Sequence, residues 1–209
     1  MNCIFDNDWW IQVKQIETLL VPYCAILNNI QRHNSRLHEV LHGFGNIIMM
    51  LKTFNDQKLA INLITRLERR WKDWEQPLLL LAFLLHPFYR DSKFNPAISN
   101  LSFPHLAKWI LYYYCAWFQE EPKILLAELE EYRSKKYPYT ESISKQFKNN
   151  ILDYWNFTKG YSKELYRVAQ RIFSITVSTA SLERMFSTMG WYHSKRRNRL
   201  KVYYLYFIF

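Results

Sequence analysis

Residues 36–48 read RLHEVLHGFGNII, and the string H-E-V-L-H inside them points to two incompatible folds. On a helix, His38 and His42 lie one turn apart on the same face, so two imidazole nitrogens could reach one zinc ion while Glu39 polarised a metal-bound water. Gly45 extends the pattern, three residues after the second histidine. The place of a third histidine is taken by Ile48, and Glu68 is only a loose replacement downstream. A zinc peptidase also needs a sheet ahead of this helix, whereas the preceding residues read as helix. The plain helical reading is therefore favoured. In it, Leu37, Leu41 and Phe44 bury one side and the histidines sit at the polar margin.

The neighbouring segments carry the same period. In 8–21, Trp9, Val13, Ile16 and Leu20 recur at spacings of three and four. Pro22 is expected to break or kink that helix, which then continues in register to about Gln31. Asn34-Ser35 offers a cap for a helix over 36–53. Asn55 offers one for 56–75, with Leu59, Leu63, Ile64 and Leu67 inward and Arg66, Arg69 and Arg70 outward; Trp71 and Trp74 read as core residues of that helix. The leucine-rich 78–85 follows Pro77 and stops at Pro87. A polar loop spans 89–104. Helices resume over 105–119, 122–135 and 141–160, with KYPYTES around Pro138 as a linker and Gly160 as a terminator. In 162–200, Leu165, Val168, Ala169 and Ile172 form one stripe. SITVS then makes an extended turn before a helix with Leu182, Met185, Phe186 and Met189 on one face. The fold class is all-α, an irregular multi-helix bundle.

Composition agrees. In 209 residues, apolar types make up 49% and aromatics 18%, enough for a substantial core, and four glycines are too few for a turn-rich sheet protein. The net charge of +10 suits a polyanionic partner. Cys3, Cys24 and Cys115 form no CxxC pair and read as reduced thiols, not as a disulfide or zinc-finger set. No basic-then-apolar leader opens the chain and no uncharged run reaches membrane-spanning length, so a soluble intracellular protein without a membrane partner is expected.

The stretch 161–200, YSKELYRVAQRIFSITVSTASLERMFSTMGWYHSKRRNRL, carries a more specific pattern. A Leu- and Ala-rich helix and an isoleucine-containing break lead into a run close to S-x-x-E-R-x-F-S-x-x-G, here Ser181 (one place nearer the Glu), Glu183, Arg184, Phe186, Ser187 and Gly190. A basic R-N-x-L element follows at Arg197, Asn198 and Leu200. This resembles the C-terminal dimerisation region of hAT-superfamily transposases. The upstream PLLLLAFLLHPFY is similar to an element near the end of that family's insertion domain, with His86-Pro87 where many members carry Asp-Pro. The resemblance implies a nuclear DNA transposase with an RNase H-like core split by a helical insertion. Three carboxylates there hold two divalent metal ions such as Mg²⁺.

By position Glu183 matches the third acid of that triad. The chain is expected to begin inside the insertion domain, without the catalytic sheet, the two upstream aspartates or the family's zinc-binding DNA reader. It is then a partial RNase H-like transposase: an insertion-domain remnant over 1–136, a linker and connecting helix over 137–160, and the dimerisation region over 161–209. Its end, VYYLYFIF, reads as truncated and sticky. No strand transfer, cofactor or metal is expected of this polypeptide alone. Its implied partner is a second copy or a related transposase subunit.

Two of these assignments have competing readings. Glu183 falls early in a helix, where the dipole favours a carboxylate whether or not it binds metal. Lys195, Arg196, Arg197 and Arg199 suit phosphate contact, and equally a solvated loop or a nuclear-import signal. Against the transposase reading stands a stand-alone helical interaction module with no nucleic-acid role.

Overall fold

A computed structural model describes residues 7–32, 34–74, 77–90, 94–95, 98–148, 150–178 and 183–188. Among them the only regular structure is helical, as the periodicity predicts. In chain order the helices are α1 (Asn7–Ile30), α2 (Leu37–Lys52), α3 (Gln57–Trp74), α4 (Pro77–Leu84), α5 (Phe103–Phe118), α6 (Leu125–Arg133), α7 (Glu141–Gln146), α8 (Ile151–Thr158) and α9 (Glu164–Phe173). Residues 183–188 form one further helical stretch.

The organising element is α4. Its sequence PLLLLAFL is apolar on every side, and such a helix is stable only when covered all round. It packs against α2, α5 and α9. The core extends from Leu81, Leu84 and Leu85 through Ile110 and Tyr114 of α5, Leu125, Leu129 and Tyr132 of α6, and Trp155 of α8, to the α9 stripe. Each large side chain fully withdrawn from water here contributes roughly 1.5–3 kcal/mol. Tyr139 belongs to the same core and is 1% exposed, so the packing runs straight across the linker expected around Pro138.

Arg90 explains why. Its guanidinium is buried and donates to the carbonyls of Pro87 (3.1 Å), Tyr132 (3.0 Å) and Tyr139 (2.5 Å), and to Ser144 Oγ (3.4 Å). It also lies 4.6 Å from the Tyr132 ring centroid. One side chain from the expected loop 89–104 thereby holds the expected linker against α6 and α7.

A reciprocal brace joins α6 to α9. Glu128 of α6 accepts from the N–H groups of Lys163 (2.7 Å), Glu164 (3.0 Å) and Leu165 (2.7 Å), satisfying donors that a helix start leaves open. Glu164 of α9 in turn accepts from the N–H groups of Lys123 and Ile124 (2.9–3.1 Å) ahead of α6.

Several local expectations are corrected. Pro22 lies inside α1 without ending it, and the 141–160 helix is two helices, α7 and α8. The cap of α3 is Asp56, whose Oδ1 accepts the Leu59 N–H at 2.9 Å, instead of Asn55. Along α3, Leu59 is exposed and Leu63, Ile64 and Leu67 are half-buried, so that face is only partly covered. No residue of α1 is buried; it leans on α2, where a Cβ on Gly43 would stand 2.7 Å from Ile26 Cγ2. No helix among the described residues is long and apolar enough to cross a membrane.

Candidate functional site

The α9 stripe expected to serve core or partner faces inward. Leu165, Val168, Ala169 and Ile172 are fully withdrawn from solvent, joined by Phe173. The period of α9 orients it against α4, α5, α6 and α8, so these side chains are occupied within the protomer. Beyond α9, the SITVS segment is extended as expected. Thr176 bridges antiparallel to Arg36, and the Val177 N–H reaches the Ser35 carbonyl at 3.4 Å. This contact attaches the chain leaving α9 to the start of α2.

The 183–188 stretch presents a different surface. Met185 is half-buried, while Phe186 is 62% exposed and Glu183 is exposed. Leu182, Met189 and the basic residues Lys195, Arg196, Arg197 and Arg199 lie outside the described residues. Other large aromatics stand open on the same half of the sequence. Tyr137 and Tyr161 meet edge-on at 5.3 Å with their hydroxyls 3.2 Å apart, and Phe157 is exposed on α8. Sequence reasoning missed these three because they belong to no periodic stripe; an aromatic at an off-period position was the available signal.

The HEVLH helix differs from expectation. The buried face of α2 is His38, Val40, Gly43, Ile47 and Leu51, while Leu37, Leu41 and Phe44 are only half-buried. His38 is 7% exposed and sits inside instead of at the polar margin. Its ring lies 4.6 Å from that of His86 and 5.9 Å from Phe173. His86 stacks on Tyr89 at 4.2 Å. Glu39 and His42 remain exposed, and Glu39 Oε2 accepts the Arg36 N–H at 3.1 Å, a capping contact. The two motif histidines thus meet different surroundings: His38 is packed among rings, and His42 stacks loosely on Tyr89 at 6.0 Å. Burial pushes the His38 imidazole down to about 4, with Arg36 and His42 adding to the effect. Burial likewise pushes His86 down to about 3, with the charges of His38, Arg36 and His42 behind it.

Among the described residues no three His, Cys, Asp or Glu side chains come together to hold a metal ion. A peptidase zinc therefore has no ligand set there.

Residues 128–205 match the model of the hAT family C-terminal dimerisation region. The match begins at Glu128, the buried carboxylate that caps α9, and runs through the exposed 183–188 stretch, so over this length the chain is similar to that region. No curated protein and no solved structure matches the chain.

Proposed function

We propose that this protein is an association module of a hAT-type transposase, pairing with a second copy of itself or a related transposase subunit. The match across 128–205 carries the reading. With the α9 stripe spent on the protomer's own core, the 183–188 helix with its exposed Phe186 is one apolar face open to a partner. Tyr137, Phe157 and Tyr161 are further exposed aromatics of the matched stretch. Lys195, Arg196, Arg197 and Arg199, with the net charge of +10, would add salt-sensitive contact with DNA phosphates. A nucleus-located protein with no strand-transfer activity of its own fits this reading, because a single acid at position 183 does not hold two metal ions.

Light scattering over a range of concentrations tests it. Wild type should form a discrete, concentration-dependent dimer. Phe186→Asp should stay folded, since the side chain is exposed in the protomer, and should remain monomeric. A folded wild-type monomer at every concentration overturns the association reading, and a variant that dimerises unchanged places the interface elsewhere than Phe186. For DNA, alanine at the four basic positions should weaken duplex binding and flatten its salt dependence. An unchanged slope removes the nucleic-acid role.

A further inference from the structure

A cleft of about 470 Å³ opens where α1, α2 and the turn after α4 converge. It lies apart from the 183–188 surface and within the size range of small-ligand sites. Its walls include Arg32, Arg36, His38, Glu39 and His86. Two buried polar atoms on these walls have no hydrogen-bond partner: Arg36 Nη1 and His38 Nδ1. Buried polar groups are rarely left so, because each unsatisfied one costs about 1–3 kcal/mol.

The chemistry of the walls selects the sign of the missing partner. Arg32 and Arg36 are cationic, and the one carboxylate, Glu39, is turned to the Arg36 backbone N–H. Burial pushes the Arg36 guanidinium down while Glu39 pulls it back up, so the cation sits where a second anion would relieve it. His86 Nδ1 accepts the Phe88 N–H at 3.2 Å, which puts the proton of the neutral ring on Nε2 and makes that atom a donor. His38 and His86 are held neutral near pH 7 and therefore supply ring hydrogen bonds without charge. The set is a net cationic group of donors short of an acceptor. Guanidinium forks and ring N–H groups match the oxygens of a tetrahedral oxyanion.

We propose that this cleft binds a phosphate group, free or as a small monoester, with Arg36 and Arg32 as its charge partners and His38 and His86 as its neutral donors.

Thermal unfolding of the full chain in inorganic phosphate, against sodium chloride of equal ionic strength, tests the site. The expected result is a rise in Tm in phosphate alone, starting near about 1 mM and growing thereafter with the logarithm of its concentration. Arg36→Gln should weaken binding about tenfold, the loss of one charge-assisted bond. Arg32→Gln, at an exposed position that does not support the core, should weaken it in the same direction and serves if the first variant fails to fold. Lys108→Gln, an exposed cation away from the cleft, should change nothing. A parallel titration with 5′-dAMP separates the sources: a Tm rise that begins at lower concentration with dAMP assigns a monoester, and a rise with phosphate alone assigns the free ion. No rise in Tm with either up to about 20 mM overturns the proposal, as does a wild-type response in both arginine variants.

Discussion

Acidification should unfold this protein through two adjoining buried histidines, His38 at the start of α2 and His86 in the turn after α4. His38 and His86 are both nearly solvent-free, their rings 4.6 Å apart. The ordinary value of 6.5 falls to about 4 for His38 and about 3 for His86 in the fold. Because both folded values lie below the unfolded one, the unfolded chain binds more protons through this range. Their contribution is thus fully present above pH 6.5 and drains away as the pH falls through 6.5 towards 4 and 3. At pH 5 an unfolded imidazole is almost fully charged while both folded rings remain neutral, a difference of about 2 kcal/mol per ring and about 4 kcal/mol for the pair. That is a large share of the roughly 5–15 kcal/mol by which a domain is stable. Urea unfolding followed by circular dichroism at about pH 7 and pH 5 reads it. The comparison is with the double variant His38→Phe, His86→Asn, in which the Asn amide oxygen keeps an acceptor for the Phe88 N–H. Carboxylates titrate in both proteins, so the pair's share is the difference between the two losses. If the double variant loses as much stability as wild type over that interval, the buried-imidazole argument fails.

Glu128→Ala removes three acceptor contacts at the start of α9 and should lower stability by about 2–4 kcal/mol, read as a shift of the urea midpoint. Glu128→Gln, which keeps one acceptor oxygen, should fall between it and wild type. Gly43→Ala drives a Cβ into Ile26 and should cost about 1–3 kcal/mol, with faster protease cleavage in α1. Ile26→Ala on the same chain should restore much of the loss, and no rescue would mean that α1 does not press on α2 at this point. Arg90→Met leaves the Tyr139 and Pro87 carbonyls without their donor and should cost about 3 kcal/mol or more, with 137–140 becoming the first site of proteolysis.

Local periodicity made most of this fold legible before any coordinates. The apolar run after Pro77 announced a buried helix, and the stripe 165–172 announced a helix with one covered face. Both came out so because the information lies within one or two turns of chain. The expectations that failed depend on partners far away in sequence. Arg90 read as a loop cation and Tyr139 as a linker residue, since nothing local indicates that a guanidinium 49 residues away accepts the job of anchoring that carbonyl. His38 read as marginal because its partner ring is His86, which covers a side chain that α2 alone would leave wet. Asp56 and Asn55 are equivalent as caps by residue type, and only the geometry of the turn chose between them. The exposure of Phe186, by contrast, depended on packing that its own helical period does not specify.

The exchange of carboxylates between α6 and α9 also has a kinetic side. The amides of Lys123, Ile124, Lys163, Glu164 and Leu165 are protected by two side chains that each belong to the other helix. Neither helix start can open to solvent without releasing donors at the other, although about forty residues separate them in the chain. Their hydrogen exchange should therefore run at a shared rate, making α6 and α9 one opening unit. The start of the 128–205 stretch is then clasped to the residues just ahead of it as one cooperative unit.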